Sequence, residues 1–337
     1  MSEVQYNLQF EKLCNNLNLG TLSGAPEAIP GGLLHRMYAV ETFQGKYAVK
    51  ALNPQIMLRP KVIKNYINSE KISNLVAKNV PAMPAKIING TSIQDLDNQF
   101  YLVFAWIEGN SLKPSEVNIN NCVKVGAILA DIHMTDFSKL GIVNSCEQST
   151  KLTDWNYYLQ KGQESDSEWV NIVLENIDNL YKWDALANKA ARLLESEMVI
   201  SHRDLDPKNV MWSQDNPIVI DWESAGFVNP MHELVETAVY WSENDTGGVD
   251  KERFLAFIGG YKARKGKLHA NWRAVLENGF LGKLEWLEYS LKRSLCIECT
   301  DAEEQKLGTA QVTGTIKAIK SYSDMANDLE NWLNFET

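Results

Sequence analysis

The hydrophobic pattern of this chain changes period near residue 106, and that change limits the fold more than any other feature. Before it, apolar and polar residues alternate as in half-buried strands. After it, apolar residues recur at helical spacing, interrupted by one strand-rich island at 198–221. Residues 37–43 and 47–52 form the clearest hairpin, around Gln44-Gly45-Lys46, where glycine supplies the turn. Residues 60–78 predict a helix, with Val62, Ile63, Tyr66, Ile67, Ile72, Leu75 and Val76 at helical spacing. Residues 85–89 and 100–107 read as strands around a polar turn at 94–98, and residues 1–20 as an amphipathic helix. Past a connector at 107–110, helices are expected over 122–134, 153–163, 168–182, 184–197, 231–243, 250–264, 270–296 and 301–335. Short strands are expected at 198–200, 210–212 and 217–221. The expected class is α+β: a small sheet-bearing part, residues 1–106, and a large mostly helical part, residues 107–337.

Composition narrows the partners. Of 337 residues, 45% are hydrophobic and 23% charged, the mix of a chain that buries a core. Against 33 basic residues stand 43 acidic ones, a net charge of -10, which argues against a nucleic-acid partner. No run reaches the roughly 18 apolar residues of a membrane span, so no membrane partner is expected. The first residues lack the basic start and apolar block of a signal peptide. The cysteines Cys14, Cys122, Cys146, Cys296 and Cys299 are scattered, which is not a disulfide framework, so the reducing cytoplasm is the expected location. Cys296 and Cys299 lie at the end of an apolar, helix-like run and read as two packed thiols rather than a metal or redox pair.

The strongest local signal is Ser201-His202-Arg203-Asp204-Leu205-Asp206-Pro207-Lys208-Asn209, followed by Ile218-Val219-Ile220-Asp221-Trp222-Glu223. Asp204 and Asn209 fall in a polar loop between short strands, and Asp221 ends an apolar strand. Oxygen side chains at strand ends suit Mg²⁺, which binds through few protein ligands plus phosphates. A further carboxylate nearby can orient or deprotonate a hydroxyl. Upstream, Lys50 ends an alternating strand and Glu70 stands mid-helix. Alone each is an ordinary surface residue; together they match an ion pair that positions a lysine on nucleotide phosphates.

The set Lys50, Glu70, His202-Arg203-Asp204, Asn209 and Asp221 resembles the protein-kinase-like superfamily. More closely it resembles the aminoglycoside phosphotransferase and choline kinase branch. Pro30-Gly31-Gly32-Leu33-Leu34-His35 stands in place of a G-x-G-x-x-G loop. Residues 101–109 are similar to the branch's hinge and 126–133 to its helix ahead of the catalytic half. Asp221-Trp222-Glu223 replaces D-F-G, and no long activation segment follows. The resemblance implies a bilobal protein-kinase-like fold, with a small antiparallel-sheet N-lobe carrying one main helix and a large helical C-lobe.

It also implies a mechanism. ATP or GTP would bind with its base at the hinge near Phe104 and Trp106. Lys50, held by Glu70, would contact the phosphates, and Gly31 and Gly32 would admit them or simply turn the chain. Asn209 and Asp221 would hold Mg²⁺, and Asp204 would accept the proton of the attacking hydroxyl. Lys208 is either a phosphate contact or a solvated loop lysine, since the usual lysine position is here Asp206. Glu233, where the branch has a structural Asp, receives no catalytic role, and His133 and His202 read as structural hydrogen-bonding groups.

The acceptor is open. An aminoglycoside-like antibiotic or sugar is one reading; choline, ethanolamine or homoserine is another. A non-catalytic nucleotide-binding regulator is a third, against which the intact residue set argues. Residues 1–106 carry +3 and the remainder -13, so a cationic acceptor could be steered to the helical part, although an acidic solvated face explains the charge as well. Trp155, Trp241 and Trp286 are aromatic candidates for the acceptor site. Asp154, Glu164, Asp166, Glu168, Glu236, Glu285 and Glu288 are the acidic ones.

Overall fold

The computed structural model describes residues 5–30, 34–144, 152–244 and 247–336. In chain order the elements are α1 (Phe10–Asn16), β1 (Glu27–Ile29), β2 (Arg36–Thr42), β3 (Gly45–Ala51), α2 (Pro54–Met57), α3 (Val62–Val76), β4 (Ile93–Leu96), β5 (Gln99–Ala105) and β6 (Asn110–Ser111). They continue with α4 (Ile119–His133), α5 (Trp155–Glu164), α6 (Val170–Leu194), β7 (Val199–Ser201), β8 (Val210–Ser213), β9 (Asn216–Val219) and β10 (Gly226–Val228). The chain closes with α7 (Pro230–Ser242), α8 (Lys251–Lys265), α9 (Trp272–Asn278), α10 (Phe280–Ser294) and α11 (Ala302–Glu336). The result is a mixed α/β chain with an antiparallel N-terminal sheet and a helical C-terminal region.

Two compact units form. The first holds residues 1–112, 136–142 and 208–226; the second holds 113–135, 143–207 and 227–337. The residues 208–226, which follow the change in sequence character by a hundred positions, thus pack with the N-terminal sheet. In the first unit the antiparallel sheet runs β1-β2-β3-β5-β4. Its two faces follow from strand period. Val49 and Ala51 join Val40, Tyr101 and Val103 in a core that α1 covers with Leu13 and Cys14. Leu52 and Leu102 face the other way, into a core with Tyr66 and Val62 of α3. Lys50 pairs in register with Leu102, and so stands on the α3 face. A smaller sheet, β6-β8-β9, completes the unit, and Gly109 fits against it because a Cβ there would meet the Trp212 carbonyl.

Several sequence expectations shift. The β2–β3 turn is Phe43-Gln44, one residue earlier than expected, because Thr42 pairs with Gly45. Residues 85–89 form no strand; Ile93–Leu96 does, paired to β5 through Asp97 and Asn98 at φ 50° and 65°, the turn whose twist suits a hairpin. The expected helix over 1–20 is confined to Phe10–Asn16 among the described residues. The two helices expected over 168–197 are one, since Asp184 is satisfied inside it by the Thr153 N–H and the Asn188 amide. The helix expected over 270–296 is two, joined at Gly279, where Tyr322 packs and donates to the Leu276 carbonyl. The Cys296 pair is not in a helix: α10 ends at Ser294, and Cys296 is exposed.

In the second unit α4 and α8 cross with their backbones in contact. A Cβ at Gly126 would strike the Phe257 carbonyl, and one at Gly260 the Val123 carbonyl. Both obstacles are backbone, which cannot swing aside. Gly126→Ala is therefore expected to lose about 2 kcal/mol of stability, a fall of about 5 °C in Tm, readable by scanning calorimetry.

Candidate active site

The first unit gathers a cation and two carboxylates from segments more than 170 positions apart. The Lys50 ammonium donates to Asp221 Oδ1 and to Glu223 Oε2, each at 2.7 Å. Lys50 is buried. Burial opposes its charge, but the two carboxylates prevail and hold its pKa above the ordinary lysine value. Asp221 adopts left-handed backbone at φ 60° as β9 ends, and the short turn Trp222–Ser224 that follows packs on α3. Beside them His35 accepts the Asn53 N–H on Nδ1 at 2.8 Å, so Nε2 carries its proton, facing Tyr66 Oη at 2.6 Å and Glu223 Oε2 at 3.4 Å. Burial, with Lys50 adding to it, lowers the His35 pKa to about 3 and keeps the ring neutral.

This arrangement corrects the expected Lys50–Glu70 ion pair. Glu223 takes the place beside Lys50, because its turn packs between β3 and α3. The buried Glu70 carboxylate instead accepts the Ala85 N–H at 2.8 Å and the Ser73 hydroxyl at 3.4 Å. Burial raises its pKa to about 7, with the Ala85 bond and Lys50 acting the other way. Glu223 and His35 were not picked out in sequence, although Glu223 stands in the Asp221-Trp222-Glu223 motif itself.

Asn209 is buried just before β8, and its carbonyl accepts the Ile220 N–H at 2.9 Å. That bond sets Asn209 beside the end of β9, one residue from Asp221. Among the described residues, His, Cys, Asp and Glu nowhere gather in threes as a metal cage. An amide oxygen and a carboxylate with 31% of its side chain exposed are instead the sparse, hard donor set that Mg²⁺ shares with phosphates. Lys208 is exposed on the adjoining turn, Pro207–Asn209. Phe104 lies in β5 opposite Ala48, and Trp106 follows the strand, with the Lys46 ammonium 4.1 Å from its ring centre. Gly31 and Gly32 lie outside the described residues.

In the second unit the loop bearing Asp204 is pinned on both sides. The Arg203 N–H donates to Glu233 Oε1 at 2.6 Å, and the Leu205 carbonyl accepts the Trp241 indole N–H at 2.8 Å. Asp204 donates its own N–H to Nδ1 of the buried His202 at 3.2 Å. Glu233 also meets His133 Nε2 at 2.7 Å, and His133 Nδ1 lies 2.8 Å from the Tyr261 hydroxyl. Burial works against the Glu233 charge, but His133 and its other partners hold its pKa below the ordinary value. Near the loop Tyr240 donates to Glu236 at 3.2 Å; its pKa is raised by burial and then by the Glu236 and Asp204 charges.

Several acceptor candidates prove to have structural partners. Trp155 and Trp241 are fully buried, which removes them as an aromatic cage, while Trp286 is half-buried and donates to Gln311. Asp154 caps α5, and Glu164 pairs with Lys161. Glu236 is 3.7 Å from both Lys283 and His232. Glu288 accepts from Tyr158 at 2.7 Å and pairs with Lys292 at 2.9 Å. Asp166 and Glu168 are exposed. Glu285 is also exposed, yet the protein around it raises its carboxyl, with Arg203 acting the other way.

The sequence model of the phosphotransferase enzyme family matches residues 26–266. The chain belongs to that family. Three solved structures illustrate the shared kinase-like fold. A spectinomycin phosphotransferase, solved with ADP and spectinomycin, has a TM-score of 0.66 at 12% identity, covering 94% of this chain and 98% of that one. A microcompartment-associated aminopropanol kinase has a TM-score of 0.60 at 15% identity, covering 94% and 98%. A choline kinase from Cryptosporidium parvum Iowa II has a TM-score of 0.58 at 13% identity, covering 96% and 98%. A search of curated proteins finds no match. Among the described residues, no helix of this phosphotransferase is long and apolar enough to cross a membrane.

Glu70 gives the phosphotransferase a pH signature. Its folded pKa, about 7, lies above the unfolded value near 4.5. Between those values the folded state keeps a proton that the unfolded state gives up, so stability falls as pH rises through this window. Glu70→Gln keeps an acceptor for Ala85 and has no proton to lose. It is expected to match wild type near pH 4.5 and exceed it above pH 7 by an amount on the order of 3 kcal/mol, measured by urea unfolding across the range.

Proposed function

We propose that this phosphotransferase moves the γ-phosphate of a nucleoside triphosphate onto a hydroxyl of a small molecule in the cytoplasm. The observation that carries this reading is the buried Lys50 ammonium fixed by Asp221 and Glu223 beside Asn209. Phosphoryl transfer through a loose transition state asks the protein mainly for alignment and charge neutralisation. Two of the three Lys50 N–H groups are taken by carboxylates, which leaves one for a phosphate oxygen. Asp221 and Glu223, rather than Glu70, hold this lysine. A magnesium ion held by Asn209 and Asp221 would supply charge neutralisation at the phosphate oxygens. The backbone near Phe104 and Trp106 takes the base of ATP or GTP. Lys208, exposed two positions beyond Asp206, contacts the transferring phosphate.

Asp204 is the proposed base. Its support is the rigidity of its loop, held by Glu233 on one side and Trp241 on the other, since a base acts through position before pKa. The acceptor carries a hydroxyl and a cationic group. Four of the acidic candidates are already engaged within the protein, whereas Asp166, Glu168 and Glu285 show no side-chain hydrogen bond or ion pair among the described residues, and of these Glu285, beside Glu288 and Glu236, suits an ammonium.

Asp204→Ala is expected to lower kcat by about a hundred- to ten-thousandfold while nucleotide affinity stays within about threefold of wild type. Asp221→Ala is expected to lose Mg²⁺-dependent nucleotide binding, read by calorimetry with and without the metal. Wild-type turnover by Asp204→Ala would remove the base assignment. A panel of aminoglycosides, choline, ethanolamine, aminopropanol and neutral sugars, with product mass as the readout, should give phosphorylation of an amino alcohol or aminocyclitol and none of neutral sugars. Nucleotide binding with no product across the panel would favour a regulator without catalysis.

A further inference from the structure

The turn between α10 and α11 carries Cys296 and Cys299, which no step of the proposed reaction uses. α10 ends in a Schellman cap: the Cys296 N–H donates to the Arg293 carbonyl at 3.0 Å and the Ile297 N–H to the Lys292 carbonyl at 2.8 Å. The cap requires left-handed backbone at its turning residue, and Cys296 has φ 53°. Glycine is the ordinary occupant of that position, because a Cβ is strained there. A cysteine at this point works against the stability of the helix end. Its side chain is exposed. Cys299, three residues on along the same turn, is half-buried and donates its S–H to the Asp301 carbonyl at 3.0 Å. Cys14 and Cys122, by contrast, are sealed in the cores. No third His, Cys, Asp or Glu joins the pair as a metal set among the described residues.

We propose that Cys296 and Cys299 are a dithiol that is reversibly oxidised to a disulfide, with a low-molecular-weight disulfide as the oxidant. Cys296, the exposed thiol, loses its proton to solvent and attacks one sulfur of the small disulfide. A mixed disulfide forms, and the first small thiolate leaves and is protonated. Cys299 then gives up its proton, attacks Cys296 Sγ, and displaces the second small thiol. Two protein thiols lose two electrons between them, and one small disulfide becomes two thiols. Burial keeps the Cys299 thiol above its ordinary pKa, which suits it to the second step, an attack within the same turn, rather than the first.

The test treats the folded full-length chain with glutathione disulfide, alkylates the remaining thiols and maps the peptides by mass spectrometry. Wild type is expected to show a Cys296–Cys299 link with loss of two hydrogens, reversed by dithiothreitol. Cys299→Ser should stop at a glutathione adduct on Cys296, and Cys296→Ser should leave Cys299 unmodified. In the reduced state Cys296→Gly should melt above wild type, because the strained Cβ is gone. A wild-type protein that ends at a stable adduct on Cys296, or does not react while folded, would overturn the proposal. So would a Cys296→Gly variant no more stable than wild type.

Discussion

A buried ammonium joins the first sheet of this protein to a strand that arrives 171 residues later. Lys50 cannot stay charged on the α3 face of β3 without anionic partners, because the cost of burying an isolated charge far exceeds what one side chain can recover by packing. Asp221 and Glu223 meet that need. To do so, residues 208–226 must pack with the N-terminal sheet and not with the helices on either side of them in sequence. The same constraint explains the left-handed backbone at Asp221 and the short turn that places Glu223 against α3. It also leaves Glu70 to satisfy the Ala85 N–H without a paired cation, so that burial raises its carboxyl despite the opposing Ala85 bond and Lys50 charge.

The second unit solves a similar problem with a buried anion. Glu233 receives the Arg203 N–H on one oxygen and meets His133 on the other, and His133 reaches Tyr261. These groups come from α4, the loop after β7, α7 and α8. One carboxylate therefore ties three helices to the loop that bears Asp204. The crossing of α4 and α8 at Gly126 and Gly260 brings His133 and Tyr261 into range, since a side chain at either glycine would hold the backbones apart. The loop's geometry thus rests on helix packing well outside it.

Much of the candidate site was legible along the chain. Lys50, Asp204, Asn209 and Asp221 stand at strand ends and in a polar loop, where period and polarity make them visible. What could not be read was partner choice. Glu70 and Glu223 are both carboxylates at plausible distances in sequence from Lys50, and nothing in either segment says which will reach the ammonium. Acidic positions such as Asp154, Glu236 and Glu288 likewise look available in sequence, while the fold assigns them to a helix cap, a lysine and a tyrosine-lysine pair. The tryptophans divide the same way: the fold buries Trp155 and Trp241 fully and leaves Trp286 half-buried.

The sequence alone determined the α+β class, the hairpin of β2 and β3 and the helix α3, and it singled out the residues proposed to carry phosphoryl transfer, because each depends on local period, turn chemistry or side-chain type. It misplaced breaks and ends: the single helix α6, the division at Gly279 and the helix end before Cys296 follow from contacts with Thr153, Tyr322 and the cap carbonyls of Arg293 and Lys292. Only the tertiary structure decided which carboxylates hold Lys50 and which fasten the Asp204 loop. The reason is physical: an ion pair or a buried hydrogen bond forms between groups that packing brings within about 3 Å, and the packing partners here lie tens to hundreds of residues apart.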